Sequence, residues 1–454
     1  MELAAKNILV VGLARTGVAL TKFLAGAGAR VWVTDAAPAA ALEAACREIQ
    51  DLEVPLQLGV AEPQGWQDCD LILPSPGVPP ELPWLLAARE RGIPVWGELE
   101  LAARFLTLPV LAVSGTNGKT TTITLVGEFL QASGLRALVG GNIGTPLVEL
   151  LPRQGEADFL VLEVSSFQLD TAPSFHPQAA ALLNITQDHL DRYPDMAAYV
   201  RSKAGLFRGQ GPEDLKILNA DDPRIMALDL KEGRLEYFST TQTLLQGAWL
   251  ADGAIQLSLP RGLEAEFPLK GIRLAGRHNL ENIMAALLLA LDAGAAPEAC
   301  REVLARFPGL PHRVEWVANI GGVDFYDDSK GTNVGAVARA VSHFEAPVVL
   351  IAGGRDKMSD FTELNPIIAR QVKALVLLGE AQDSLARAWK GLAPITLADD
   401  LQDAVARARE LARPGEVVLL SPACASFDMF RDYVERGLTF QRLVKEMENA
   451  AHSA

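Results

Sequence analysis

The eight residues from Ser114 to Thr121 (Ser-Gly-Thr-Asn-Gly-Lys-Thr-Thr) constrain the fold of this chain more than any other segment. An apolar run, Pro109 to Val113, precedes them, and a segment with helical spacing (Ile123, Val126, Phe129, Leu130) follows. Strand, glycine loop and helix in that order make a cradle for an anion. Loop amides and the positive helix end face the phosphate, Lys119 supplies charge, and the Thr120 hydroxyl can hold Mg²⁺. The common form of this motif has a glycine where the chain has Val113, so an ordinary βα turn is the competing reading. Gly-Lys-Thr-Thr at a strand-to-helix junction favours nucleotide phosphate, which places a nucleoside triphosphate, ATP, at Gly115, Thr116, Asn117, Gly118, Lys119, Thr120 and Thr121.

At 454 residues the chain exceeds one hydrophobic core, and about three domains are expected. Its net charge of −15 shows no dominant basic stripe, which argues against nucleic acid as a partner. Anionic ligands then need local clusters of Lys, Arg and helix N-termini. Four scattered cysteines (Cys46, Cys69, Cys300, Cys424) with no C-x-x-C pair fit free thiols in a reducing cytoplasm. The N-terminus has no basic segment before its apolar stretch, which Asn7 and Arg15 interrupt, so a signal peptide is not expected. The longest apolar run, Ile283 to Leu291, is too short to span a bilayer. A cytoplasmic protein without membrane insertion is expected, and a monomer.

The first hundred residues alternate strands and helical patterns: Ile8 to Val11, Arg30 to Thr34 ending at Asp35, and Leu71 to Leu73. Gly12 to Gly17 has the outline of a dinucleotide turn, with Asp35 placed for a ribose, but Ala14 replaces its middle glycine. NAD, a phosphate or uridine pocket, and a bare turn all stay open. A second unit carries the phosphate loop and continuously apolar strands at Phe159 to Glu163, Ala180 to Asn184 and Lys216 to Asn219. Residues 235–275 predict a small antiparallel appendage, and a helix follows through Ile283 to Leu291. Pro308 to Pro311 reads as a hinge. Beyond it βα alternation restarts, at Val323 to Asp327, Val348 to Ile351, Ala374 to Leu378 and Val417 to Leu420. The expected fold is α/β in three domains. A Rossmann-like part covers 1–107, a parallel-sheet phosphate-loop ATPase with its appendage 108–311, and a second Rossmann-like part 312–454.

Ligands of open parallel sheets gather at the carboxyl ends of the strands. Glu163 ends its strand there, placed as a Mg²⁺ carboxylate. Asp188-His189 closes an expected strand, Leu183 to Thr186, and His189 is either a structural hydrogen-bonder or a metal or substrate contact. Lys203 follows Tyr199 by four residues, on one side of a helix. A cation beside a metal site should be repelled, and a solvated helical lysine is the alternative.

Taken together, eight segments resemble the Mur ligase family over nearly the whole chain. They are Gly115–Thr121, Leu162–Gln168, Asn184–Pro194, Gly276–Asn282, Leu310–Arg313, Asp327–Asn333, Gly353–Lys357 and Ser421–Asp428. The resemblance implies an ATP- and Mg²⁺-dependent amide ligase of peptidoglycan precursor synthesis. The Gly353 and Ser421 segments imply D-glutamate as the amino acid and UDP-N-acetylmuramoyl-L-alanine as its acceptor. It also implies that Lys203 is carbamylated, becoming an oxygen anion, and that Glu163 and His189 hold metal beside Thr120, with Asp188 nearby. Asn279 and Asn282 would contact adenine, Arg313 and Lys330 phosphate, and Asp328 the ribose. Thr332, Lys357, Ser426 and Tyr433 fall where the family binds D-glutamate. Gly12, Leu13, Thr16, Asp35, Ser75, Gly77 and Asn142 fall where it binds the uridine diphosphate-sugar, with Ala37 where close relatives can place an arginine. Lys119, His189, Lys203 and Arg313 would carry the catalysis. The alternatives are another superfamily member such as folylpolyglutamate synthase, a phosphate-loop hydrolase without ligase activity, and a nicotinamide oxidoreductase built on Gly12 to Gly17.

Overall fold

The computed structural model describes residues 2–190, 192–230, 233–274, 276–356 and 358–453. Three sheets follow one another along the chain. The first joins β1 (Asn7–Val11), β2 (Arg30–Asp35), β3 (Leu56–Leu58) and β4 (Leu71–Pro74), all parallel, in the order β3-β2-β1-β4. The second runs β5 (Val110–Ser114), β6 (Ala137–Gly141), β7 (Phe159–Glu163), β8 (Ala179–Leu182), β9 (Leu215–Asn219), β10 (Arg234–Ser239), β11 (Gly247–Ala251), β12 (Ala254–Leu259) and β13 (Leu263–Pro268). Its spatial order is β13-β12-β11-β10-β9-β8-β5-β7-β6.

The antiparallel strands expected in 235–275 are β11 to β13, but they do not stand apart. β10 pairs in parallel with both β9 and β11, so the appendage extends the main sheet. The third sheet joins β14 (Glu315–Ile320), β15 (Val323–Asp327), β16 (Val348–Gly353), β17 (Val372–Leu378), β18 (Ile395–Leu397) and β19 (Val417–Leu420), in the order β14-β15-β19-β16-β17-β18. Only its β14–β15 pair is antiparallel.

Helices that matter for the site are α1 (Arg15–Gly26), α2 (Glu98–Ala103), α3 (Lys119–Ala132), α4 (Leu147–Leu150), α5 (Met196–Ala204), α6 (Arg277–Asp292) and α7 (Tyr433–Ser453). Inner strands such as β5, β8 and β19 are buried along their whole length, which is why they read as unbroken apolar runs. No helix among the described residues is long and apolar enough to cross a membrane.

The chain divides into two compact units. One holds residues 1–184, 200–271 and 281–305; the other holds 185–199, 272–280 and 306–454. Within the first unit, the first sheet meets the second at the start of α2, where the Trp96 amide just before the helix donates to the Ile72 carbonyl of β4 (3.0 Å). In α2 the Glu98 carboxylate accepts from the Val148 amide (2.9 Å), and Glu100 accepts from the Ser174 amide and hydroxyl (2.9 and 2.6 Å). Buried acids survive only when their oxygens are bonded in this way.

Candidate active site

In the second sheet the chain leaves β5 for β6 and β7 on one side, then crosses to β8 on the other. This reversal opens a crevice at the carboxyl end of β5, where ligands of such sheets sit. The loop Gly115–Gly118 lies there and hands over to α3 at Lys119. Gly118 has φ 90°, where a side chain is strained, and a Cβ at that position would fall 2.1 Å from Asn282 Oδ1, so any larger residue would displace that side chain. Asn282, expected at adenine, is thereby buried against the phosphate loop.

Lys119 Nζ donates to the carbonyl oxygens of Gly115 and Thr116, both at 2.9 Å. Lys203, on α5 and only 2% exposed, donates its Nζ to the same Gly115 oxygen at 2.9 Å. Two ammonium groups on one carbonyl repel each other, and an anion relieves that repulsion. This local positive charge stands in a chain of net charge −15.

Beside it, the Thr120 hydroxyl donates to Glu163 Oε2 (2.8 Å), and Asn142 Nδ2 donates to Glu163 Oε1 (3.1 Å). Thr120 and Glu163 are oxygen donors in contact, with Glu163 1% exposed, and that chemistry fits Mg²⁺. Asn142, expected at the uridine substrate, is thus bonded directly to Glu163, the expected metal carboxylate. Thr116 and Thr121 are buried in the loop and first helical turn.

The strand before Asp188 ends earlier than its apolar pattern suggests: β8 stops at Leu182, two residues short of Asn184, and Leu183 to Thr186 is not a strand. The chain then follows the phosphate loop itself. The Leu183 amide donates to Ser114 O (3.0 Å), and the Thr116 amide donates to Asn184 O (2.9 Å). The Asn184 side chain accepts from the Asn117 amide (2.9 Å) and donates to the Asn117 carbonyl (3.1 Å). Sequence reading gave Asn184 no role; its only signal was its place at the end of an apolar strand beside the glycine loop.

His189 belongs to the other unit. Its φ of 57° lies in the left-handed region, which is uncommon for a residue with a side chain. Its amide donates to Asp188 Oδ1 (2.9 Å), and Asn333 Nδ2 donates to Asp188 Oδ2 (3.0 Å). The ring stands edge-on to Tyr199, centroids 6.4 Å apart. In the same unit, Asp328 is buried and accepts from the Ser421 hydroxyl (2.6 Å). Burial pushes its pKa up to about 7, against the pull of Ser421 and Arg313.

Lys330 Nζ sits 3.6 Å over the Tyr433 ring, and the Lys330 amide donates to the His312 carbonyl (3.1 Å). His312 is bonded through Nδ1 to Asp327 at 2.7 Å, which holds the imidazole above the usual histidine range. Arg436, buried at the start of α7, donates to the carbonyls of Ser329 and Cys424. These contacts fix the backbone on which Asp328, Lys330, Thr332 and Ser426 stand, and sequence reading assigned none of their side chains. Asn279 opens α6 in this unit. Its neighbour His278 is pushed down to about 3, chiefly by burial and then by Arg339, His343 and Arg313. Lys357 lies outside the described residues.

The first sheet carries its own loop after β1. Asp35 accepts from the Leu13 amide (2.7 Å) and the Ala37 amide (2.8 Å), while the Ser75 hydroxyl donates to Gly12 O (3.0 Å). Leu13 has its side chain in the core, whereas Gly77 is exposed and Thr16 half-buried at the helix start.

Three family profiles match the chain. They are the Mur ligase MurD-like N-terminal domain (6–97), the Mur ligase middle domain (113–290), and the Mur ligase glutamate ligase domain (312–424). The UDP-N-acetylmuramoylalanine–D-glutamate ligase of Geotalea uraniireducens is 47% identical over 99% of this chain and 100% of its own. The enzyme of the same name from Geobacter metallireducens is 45% identical, over 98% and 99%. Among solved structures, a pseudomurein peptide ligase type C from Methanothermus fervidus superposes with a TM-score of 0.63 at 16% identity, covering 97% of this chain and 100% of that one. MurF ligase from Thermotoga maritima, solved in complex with ADP, gives 0.58 at 15% identity, covering 99% and 96%. These two likenesses bear on the fold.

Proposed function

The chain belongs to the Mur ligase family, and from that premise we propose that it is an ATP-dependent ligase joining D-glutamate to UDP-N-acetylmuramoyl-L-alanine. The observation that carries the reading is Lys119, held over the phosphate loop by the Gly115 and Thr116 carbonyls, next to the Thr120–Glu163 oxygen pair. One is a place for polyphosphate and the other a place for its metal. Relatives at 43–47% identity bearing that ligase's name support the choice of substrates.

A carboxylate does not condense with an amine unaided, because hydroxide is a poor leaving group. The L-alanine carboxylate attacks the γ-phosphorus of ATP, giving an acyl phosphate and ADP. The D-glutamate amine then attacks the acyl carbon, and the tetrahedral intermediate expels phosphate. Lys119 neutralises charge building on the transferred phosphoryl group, and the helix start aligns it. Thr120, Glu163 and a carbamylated Lys203 would hold Mg²⁺, with His189 as a further ligand. The metal would supply Lewis-acid neutralisation of phosphate oxygens.

Arg313 and Lys330 are assigned to phosphate, Asn279 and Asn282 to adenine, and Asp328 to the ribose. Thr332, Lys357, Ser426 and Tyr433 are assigned to D-glutamate. Leu13 (through its backbone), Thr16, Asp35, Ser75, Gly77 and Asn142 are assigned to the uridine substrate. We place the domain boundaries at 1–107, 108–311 and 312–454, and the enzyme in the cytoplasm as a monomer. The test is phosphate release with ATP, Mg²⁺ and UDP-N-acetylmuramoyl-L-alanine against a panel of amino acids. Release should require D-glutamate; equal turnover with L-glutamate or meso-diaminopimelate sinks the assignment.

A further inference from the structure

We propose that Asn184 is a positioning residue for the phosphate loop, its carboxamide acting as one more peptide group in the ladder between β5 and β8. The inference rests on the reading of Gly115–Thr121 as the ATP phosphate site. Backbone pairing of the two strands is in register to Ser114 and Leu182. It continues past both strand ends through Leu183 N–H to Ser114 O and Thr116 N–H to Asn184 O. The Asn184 side chain supplies the next rung. Its Oδ1 takes the Asn117 amide and its Nδ2 gives to the Asn117 carbonyl, at 2.9 and 3.1 Å. A primary carboxamide has the donor and acceptor of a peptide bond side by side, so both polar groups of Asn117 are met by one side chain.

The rung is itself braced. Asn219, buried at the end of β9, donates Nδ2 to the Leu183 carbonyl at 2.9 Å. A Cβ at Gly115 would lie 3.1 Å from Leu183 Cβ and 3.3 Å from the Asn184 nitrogen, so loop and segment are in close contact along their length.

Two consequences follow for nucleotide binding. The Thr116 and Asn117 amides are directed at the β8 segment, so the phosphate-facing amides come from Gly118 onward, at the start of α3. The loop is also shaped before ATP arrives, and its ordering is not subtracted from the binding free energy. Aspartate cannot replace Asn184. It lacks the donor and would set a carboxylate against the Asn117 carbonyl. Alanine leaves both groups of Asn117 without the rung.

The test compares Asn184→Ala and Asn184→Asp with the wild-type enzyme and with Lys119→Ala, reading ATP binding by calorimetry and the KM of each substrate. Loss of two hydrogen bonds should weaken ATP binding by about tenfold to a hundredfold in Asn184→Ala, and at least as much in Asn184→Asp. The KM values for the uridine substrate and D-glutamate should stay within about twofold, a split that general destabilisation does not produce. Asn184→Ala binding ATP within about twofold of wild type overturns the proposal. If Lys119→Ala binds ATP as tightly as wild type, the phosphate-loop reading falls first and takes the proposal with it. Hydrogen exchange on the unliganded wild-type enzyme removes any dependence on the variants folding. The Asn117 amide should be protected about a hundredfold or more before nucleotide is added. Exchange at the unprotected rate overturns the proposal.

Discussion

Two loops in this molecule have the same outline and opposite electrostatics. Each follows the strand at which its sheet reverses direction, β1 in the first sheet and β5 in the second, and each leads into a helix through glycine. After β1, the amide of Leu13 is taken by the Asp35 carboxylate, an anion. After β5, the amide of Asn117 is taken by the neutral Asn184 carboxamide, and two lysines point at the loop's carbonyl oxygens. At the first loop the Leu13 amide is already taken by a carboxylate; at the second, a triphosphate meets the Lys119 ammonium. Glycine spacing makes both turns possible, but the charge of the groups that hold each turn decides what it accepts.

The largest effect expected from this contrast is that of Lys119→Ala. It removes a fixed charge from the second loop without touching the core. kcat/KM should fall about a thousandfold or more, with circular dichroism and melting temperature near wild type. Activity within about tenfold of wild type would falsify the assignment of charge as the distinguishing feature.

Lys203→Ala comes next, because this lysine reaches the second loop and has no counterpart at the first. Loss of at least about a hundredfold is expected. If the working side chain is a carbamate, acetate or propionate should restore part of the activity by returning an oxygen anion to the vacated volume. Rescue by a small cationic amine instead would mean that the ammonium itself is the functional group.

Asp35→Ala probes the first loop alone. Two backbone amides lose their acceptor, at a cost of about 1–3 kcal/mol. The KM for the uridine substrate should rise about tenfold while the KM for ATP does not move. Equal changes in both would show that the two loops are not independent.

These contrasts explain what could and could not be read from the sequence. Strands such as Phe159–Glu163 and Val417–Leu420 were legible because parallel strands covered on both faces must be apolar throughout. The glycine loop, Lys119 and Thr120 were legible because the helix start itself dictates them. The partners were not. Lys203 reaches Gly115 across 88 residues, Asn184 reaches Asn117 across 67, and Asp35 reaches Leu13 across 22. A side chain bonded to distant backbone leaves no periodicity and no spacing rule. The end of β8 was misplaced for a related reason: Leu183 is as apolar as a strand residue, yet its amide serves the loop. The extension of the second sheet through β10 was hidden because a parallel pairing leaves no turn signal between its strands.

The smallest expected effect on activity comes from Glu98, whose carboxylate bonds α2 to the Val148 amide of the second sheet's domain. Glu98 on α2 is 2% exposed, and burial pushes its pKa up to about 7, while the Val148 and Leu147 amides pull it down and Glu149 raises it. A folded-state pKa above the unfolded value near 4.5 means that folding takes up a proton. The contribution to stability is therefore fully present below about pH 4.5 and is lost as pH rises through about 7. Glu98→Gln keeps an acceptor for the Val148 amide and removes the titration. Against that variant, wild-type stability should decline between pH 5 and pH 8, by an amount on the order of 1–3 kcal/mol at the upper end. Asp328 and Glu236, also raised to about 7 by burial, are present in both proteins and cancel in the difference. Thermal and urea melts across that range measure it. A difference that stays constant from pH 5 to pH 8 would mean that Glu98 keeps one protonation state throughout.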